Sequence, residues 1–199
     1  MTRAIALLAA LLPLSAHAQK IAGPKPEGAP PAPVLLGNEG LFQDRLAQVG
    51  DDVFIAGQPT ERGLREMRGK GVTVVVNLRS APEMKRVGFD EEKLAASLGL
   101  KYVWLPMRGT SEFTPKALQA FAAAMKEADG KVLLHCTVAW RASHLWAAYL
   151  IRERKMPVER VLLQARAINL MDNMRMGADQ QPLEGFLGRP VPEMGHPGR

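Results

Sequence analysis

The chain has 199 residues, 47% of them hydrophobic, and 26 lysines and arginines against 20 acidic residues give it a net charge of +6. No run of basic residues interleaved with aromatic residues occurs, so we expect no nucleic-acid partner. Cys136 is the only cysteine, which excludes an intramolecular disulfide and leaves either an inert buried residue or a reactive thiol.

Residues 1–18 have the pattern of a secretory signal peptide. Arg3 precedes an apolar run from Ala4 to Leu14, and Ala16-His17-Ala18 offers a cleavage site. The pattern predicts a bacterial periplasmic or secreted protein, cleaved near Ala18. The apolar run is shorter than the roughly 20 residues that a membrane span needs, so we expect no transmembrane segment.

Composition predicts one folded domain between two unpacked ends. Proline, glycine and alanine dominate residues 19–40, which is typical of an extended tether. The stretch 181–199 is also rich in proline and glycine and is predicted to be an unpacked tail. Residues 41–180 have the length of a single domain.

Strand and helix patterns alternate within this domain. β-branched and apolar runs predict strands at about residues 53–55, 72–76, 102–105 and 132–135. Caps and apolar periodicity predict helices at about residues 60–68, 90–98, 115–129, 140–155 and 158–165. The alternation predicts an α/β domain with a mainly parallel, four- to five-stranded sheet flanked by helices. Ligands of such sheets bind at the carboxyl ends of the strands.

The cysteine stands directly after a predicted strand. His135-Cys136 is followed by four residues and then by Arg141, which leads into an apolar helix. The N-terminus of a helix binds anions and favours a thiolate, and a guanidinium group can hold two oxyanion oxygens. We therefore expect Cys136 to be a nucleophile and Arg141 an anion ligand. The residues between them, which we expect to contact the substrate, are Thr137, Val138, Ala139 and Trp140.

This segment resembles the catalytic loop of bacterial protein-tyrosine-phosphatase-like proteins, in particular the beta-lactamase-hydrolase-like branch with the dual-specificity phosphatase fold. Residues 55–60 (IAGQPT) and 74–79 (VVVNLR) are also similar to that branch, and the likeness covers about residues 50–170. The resemblance implies a phosphatase that forms a phosphocysteine at Cys136 and holds the phosphoryl oxygens with Arg141. It implies no metal or other cofactor, and a phosphorylated protein or a small phosphoester as substrate.

Four further side chains are candidates with two roles each. Glu112 is the only carboxylate in residues 106–113, where such phosphatases carry their acid, and is either a proton donor or a solvated residue. Arg79 either lines the site or forms an ion pair at the surface. Trp140 either forms the wall of an aromatic pocket or packs against a helix. His135 points away from Cys136 in a strand, so we expect it to be buried and hydrogen-bonded beneath the loop rather than to act as a base.

The loop departs from the pattern of well-characterised tyrosine phosphatases in two ways, although the bacterial branch that it resembles tends to have the shorter loop. It has four residues between cysteine and arginine instead of five, and Ala139 stands where glycine is common. If Ala139 must adopt a positive φ, the strain is about 1–2 kcal/mol. Two alternatives to a phosphatase follow: a non-catalytic pseudophosphatase that binds an anion or a partner, and a rhodanese-like sulfurtransferase with a persulfide on Cys136.

Overall fold

The computed structural model describes residues 30–171 and 181–194. Six strands form one sheet: β1 (Pro33–Leu36), β2 (Leu46–Val49), β3 (Val53–Ala56), β4 (Val72–Asn77), β5 (Lys101–Trp104) and β6 (Lys131–His135). Their order across the sheet is β1-β2-β3-β6-β4-β5. Strands β1, β2 and β3 pair antiparallel, whereas β3, β6, β4 and β5 run parallel.

Seven α-helices accompany the sheet in the described residues: α1 (Glu61–Gly69), α2 (Ala81–Met84), α3 (Glu91–Ser97), α4 (Pro115–Glu127), α5 (Trp140–Arg152), α6 (Val158–Ile168) and α7 (Pro182–Leu187). Several of these helices have an N-cap residue whose side chain accepts a hydrogen bond from a backbone amide of the first turn. Thr60 caps α1 by accepting from the Gly63 amide, and Asp90 caps α3 by accepting from the Lys93 amide. None of the described helices is long and apolar enough to span a membrane.

The predicted α/β class is confirmed, with a correction to the number of strands. The four predicted strands are β3 to β6, and the sheet gains β1 and β2 at one edge. Residues 33–36 therefore belong to the sheet and not to a tether. Both central residues of β1, Val34 and Leu35, are more than half exposed, so no buried face marks this strand in the sequence. The predicted signal peptide and residues 19–29 lie outside the described part of the chain.

Helices cover both faces of the sheet because the strand side chains alternate between them. Val53 and Ile55 of β3 point to a core shared with α4, α5, α6 and α7, whereas Phe54 and Ala56 point to a second core against α1 and α3. This double cover explains the nearly continuous apolar runs of β4 and β6. Because the helices cover both faces of the sheet, polar side chains collect at the carboxyl edge of the parallel strands.

The C-terminal segment is packed, which corrects the prediction of an unpacked tail from residue 181. Leu183 and Phe186 of α7 are fully buried, and the Phe186 ring lies edge-on to Phe113 at 5.5 Å. Gly185 of α7 lies so close to the Phe113 backbone that an added Cβ would be 2.4 Å from the Phe113 carbonyl oxygen. The domain thus extends beyond residue 180.

Candidate active site

The Cys136 loop joins β6 to α5 at the carboxyl edge of the sheet, and the segment after β3 holds it in place. The Gln58 amide donates to the Thr137 carbonyl oxygen at 3.0 Å. Beside it, a Cβ added to Gly57 would lie 2.8 Å from the same oxygen and 1.7 Å from the carbonyl oxygen of Gln43. Only glycine permits this approach, so the residues of the IAGQPT segment fix the position of the loop.

Ala139 adopts the positive φ that we considered in the sequence analysis, where glycine is common in related loops. Its φ is 65° at the N-cap of α5, and its carbonyl oxygen accepts from the Ser143 amide at 2.9 Å and the Ser143 hydroxyl at 2.8 Å. Because the first N–H groups of a helix lack intrahelical acceptors, the turn at Ala139 aims an anion-binding helix end at the loop. The residue itself is fully buried.

Cys136 and Arg141 line one cavity of about 350 Å³. Both residues are otherwise buried, with exposed fractions of 1% and 6%. The predicted contact residues of the loop lie here except Ala139, which is fully buried and does not line the cavity. Segments that follow β4 and β5 complete the wall. The remaining lining residues are Thr137, Val138, Trp140, Ser80, Pro82, Glu83, Arg86 and Arg108.

Glu83 holds the guanidinium group of Arg141 in a bidentate ion pair. Arg141 Nη2 donates to Glu83 Oε1 at 2.6 Å, and Arg141 Nη1 donates to Oε2 at 2.9 Å. Thr137 Oγ1 also donates to Oε1 at 2.7 Å, and the Ser80 amide and hydroxyl donate to Oε2. Arg141 Nη1 makes a further contact with the Met107 carbonyl oxygen. A carboxylate of the chain therefore occupies the anion-binding side of the arginine.

The charges of this pair reinforce each other. Burial opposes ionisation of Glu83, but the hydrogen bonds from Arg141, Thr137 and Ser80 outweigh it and lower the pKa of the carboxyl group well below its usual range. Burial also works against a charged Arg141, yet the bonds to Glu83 and the nearby Cys136 raise its pKa. At neutral pH Glu83 is an anion.

Glu83 was not among the residues that the sequence indicated. It belongs to the short helix α2, whose start is a capping box with Ser80, and α2 follows β4 directly. Since β4 and β6 are parallel neighbours, their carboxyl ends meet at one edge. A carboxylate four residues after the VVVNLR segment was the signal that could have found it.

A chain of buried polar side chains runs beneath the loop. His135 Nε2 lies 2.8 Å from Glu91 Oε1 and both side chains are fully buried, which confirms the expectation for His135. Gln58 Nε2 donates to Glu91 Oε2 at 2.5 Å, and Arg79 Nη1 donates to Gln58 Oε1 at 2.6 Å. Burial opposes ionisation of Glu91, but His135 and Gln58 lower its pKa.

Arg79 is buried, so its ion pair is not one at the protein surface, and it does not line the Cys136 cavity itself. Its Nε lies 4.0 Å from Glu83 Oε1, an ion-pair distance, and its Nη2 donates to the Glu83 carbonyl oxygen at 3.2 Å. It is 7% exposed, and it lines a second cavity next to that of Cys136. Arg79 and Arg141 thus approach the same carboxylate oxygen from two sides.

Trp140 is the first residue of α5 and contacts a residue of that same helix at the edge of the Cys136 cavity. It lines the Cys136 cavity and is otherwise buried, with its ring edge-on to His144 at 5.1 Å. Burial lowers the pKa of His144 to about 3, so this histidine is neutral. The tryptophan is therefore fixed by α5 while one edge remains at the cavity.

Glu112 is not among the residues that line the Cys136 cavity. Its carboxylate accepts from the Gly109 amide at 2.8 Å at the start of a 3₁₀ turn, and the side chain is exposed. The bond to Gly109 lowers its pKa, whereas a general acid needs a raised one. In the part of the chain that the structure covers, no three His, Cys, Asp or Glu residues are grouped to hold a metal.

Comparison with known proteins identifies the family of the chain. The model of the beta-lactamase hydrolase-like protein family, phosphatase-like domain, matches residues 45–150. The chain belongs to this family. Beta-lactamase hydrolase-like proteins from Xylella fastidiosa (strain 9a5c) and Agrobacterium fabrum (strain C58) are 32% identical over 119 residues and 30% identical over 104 residues. These matches cover 59% and 51% of this chain but only 27% and 24% of the relatives, so the chain spans about a quarter of their length.

Solved structures show the same fold. A DUF442 protein from Shewanella putrefaciens CN-32 is 26% identical, with a TM-score of 0.57 over 76% of this chain and 92% of its own. A Cys-to-Ser form of TpbA from P. aeruginosa in complex with pTyr is 16% identical, with a TM-score of 0.56 over 85% of this chain and 95% of its own. At this lower identity the likeness concerns the fold alone. The phosphatase-like domain is therefore built on a cysteine phosphatase fold.

Proposed function

We propose that this phosphatase-like domain hydrolyses phosphate monoesters through a covalent phosphocysteine on Cys136. The observation that carries the proposal is the meeting of Cys136 and Arg141 at one cavity where α5 begins. A thiol, a guanidinium fork and a helix N-terminus are the groups that an attack on a phosphate dianion needs. Membership of the phosphatase-like domain family also supports the proposal.

In the proposed reaction the Cys136 thiolate attacks phosphorus in line with the ester oxygen. The S–P bond forms while the P–O bond to the alcohol breaks, and the leaving oxygen takes up a proton from solvent water. Arg141 and the amides at the start of α5 offset the negative charge on the phosphoryl oxygens. Water then attacks phosphorus, releases inorganic phosphate and returns the thiolate.

Glu83 sets a condition on the first step. Its carboxylate already holds both terminal nitrogens of Arg141, so a phosphoryl group must displace it or share the guanidinium with it. Since Glu83 is ionised at neutral pH, it has no proton to give to the leaving alcohol. We therefore expect faster turnover of aryl phosphates, which leave without protonation, than of alkyl phosphates. Proton donation by Glu112 stays a prediction, testable by the effect of Glu112→Gln on alkyl phosphates.

The same carboxylate motivates a second candidate function. If Glu83 is not displaced, Arg141 remains neutralised, and the domain binds an anion or partner without turnover. Sulfur transfer requires a persulfide on Cys136. Mass spectrometry of the wild-type protein tests for this persulfide.

Hydrolysis of an aryl phosphate under reducing conditions decides between these functions. We expect turnover that disappears in Cys136→Ser, with Ser97→Ala on the exposed end of α3 as a matched control that keeps it. Equal rates in the wild type and Cys136→Ser would refute the cysteine mechanism. No turnover in either, with phosphate still bound, would favour the binding function.

We also propose that the protein is exported, on the strength of the signal-like pattern in residues 1–18. Expression of the full chain in a Gram-negative host tests this. We expect periplasmic protein whose N-terminal sequence begins at Gln19, whereas an intact N-terminus in the cytoplasmic fraction would contradict it.

A further inference from the structure

The Cys136 cavity opens beside a larger one. This second cavity, of about 830 Å³, shares Thr137 and Arg86 with the first. The segment after β4 forms a wall of both, with Glu83 toward Cys136 and Arg79 toward the larger cavity. We call the two cavities together the cleft. A molecule bound at Cys136 can therefore extend past Arg86 into the larger cavity.

Positive charge dominates the cleft. Two carboxylates of described residues line it, Glu61 and Glu83, against five arginines. The arginines are Arg62, Arg79, Arg86, Arg108 and Arg141. Glu83 is engaged by Arg141, and Glu61 lies in the exposed first turn of α1.

Arg86 and Arg79 are the residues best placed to receive a second anion. Arg86 is exposed, lines both cavities, and its side chain has no hydrogen bond or ion pair with any described residue. Arg79 is more than nine-tenths buried, and its terminal nitrogens donate to Gln58 and to the Glu83 carbonyl oxygen. Its Nε makes no hydrogen bond within the described residues, although Glu83 Oε1 lies 4.0 Å away. A buried donor without an acceptor is unfavourable until a ligand supplies one.

We propose that the cleft recognises a second phosphoryl group, so that the substrate is a small bisphosphorylated molecule with one phosphate at Cys136 and the other at Arg79 and Arg86. This inference rests on the proposed function, because it places the reacting phosphate at Cys136. Guanidinium groups hold phosphate oxygens in pairs, which favours phosphate as the second anion. The two cavities have volumes in the range of about 300–1,000 Å³ that is typical of small-molecule sites, which favours a small molecule.

Calorimetric binding to Cys136→Ser protein tests the proposal without turnover. The probes are fructose 1,6-bisphosphate and fructose 6-phosphate, which differ by one phosphate. We expect the bisphosphate to bind at least about ten-fold more tightly, since each charge-assisted contact supports a factor of this order. Adding Arg86→Gln reduces the ratio to less than about two-fold. Adding Arg65→Gln, on the exposed face of α1, leaves the ratio unchanged.

Several outcomes would overturn the proposal. They are equal affinity for the two sugar phosphates, no binding of either, or a ratio that Arg86→Gln does not alter. A phosphotyrosine peptide with flanking glutamates is the comparison for a macromolecular substrate. If it gains affinity over an alanine-flanked peptide while the sugar phosphates bind equally, the assignment to a small molecule is wrong. A preference for the bisphosphate in a protein without aryl phosphatase turnover would refute the proposed function and, with it, the assignment of a substrate, leaving only the binding of a second phosphoryl group at Arg86.

Discussion

Replacing Glu83 by glutamine tests how the chain controls its own arginine. Glutamine keeps the shape of Glu83 but removes the charge that pairs with Arg141 at 2.6 and 2.9 Å. Hydrogen bonds to charged groups contribute about 1.5–3 kcal/mol, and partial exposure reduces this. A quarter of the Glu83 side chain is exposed. We therefore expect Glu83→Gln to lower the free energy of unfolding by about 1–3 kcal/mol.

The same change should strengthen anion binding. In the wild type a phosphate must compete with Glu83 for Arg141, and in the variant this competitor is neutral. The released interaction corresponds to about ten- to hundred-fold tighter binding of inorganic phosphate, at 1.4 kcal/mol per factor of ten. Isothermal titration calorimetry of both proteins measures the ratio, and Glu159→Gln in the exposed first turn of α6 is a control that changes neither property.

The pH dependence has a definite sign. Because the pKa of Glu83 is lowered in the folded protein, its contribution to stability is full above its unfolded value, near 4.5, and is lost as pH falls toward the folded value. The difference in unfolding free energy between wild type and Glu83→Gln should therefore be largest at neutral pH and shrink below about pH 4.5. Equal stability at neutral pH together with unchanged phosphate affinity would refute this account of Glu83.

Three further substitutions test the support of the loop by urea unfolding. Glu91→Ala leaves the buried His135 without its partner and should cost about 3–5 kcal/mol, whereas a loss below about 1 kcal/mol would contradict the pair's role. Ala139→Gly relieves strain of about 1–2 kcal/mol but removes a buried methyl worth about 0.8 kcal/mol and adds a glycine entropy cost of about 0.5–1 kcal/mol, so stability should change by less than about 1 kcal/mol. A larger loss would mean that the positive φ is not strained. Gly57→Ala should cost at least about 2 kcal/mol, because its Cβ would displace the Gln43 backbone, and stability like that of the wild type would show that the close approach is not required.

The parts of this molecule that local patterns determine could be predicted from the sequence. Strand β4 is nearly continuous valine because both of its faces are covered, and α4 begins at Thr114 and Pro115, a cap and a first-turn residue. The site could be predicted for the same reason at Cys136 and Arg141, since one strand, one loop and one helix bring them together.

What the sequence did not reveal depends on contacts between distant segments. Glu83 meets Arg141 across 58 residues, and its only local signal is its place four residues after the VVVNLR segment. Helix α7 is short and stands among prolines and glycines, so its burial against Phe113 depends on the rest of the core. The edge strand β1 is paired by backbone hydrogen bonds to β2 while Val34 and Leu35 stay exposed, so no alternation of burial indicated it.

The most direct test of the central claim is to trap the covalent intermediate. Wild-type protein mixed with an aryl phosphate is quenched in acid within its first turnovers, digested, and analysed by mass spectrometry at the peptide that contains Cys136. We predict one added phosphoryl group on Cys136, absent in Cys136→Ser. Aryl phosphate turnover without a phosphorylated Cys136, or a phosphoryl group on another residue, would contradict the mechanism.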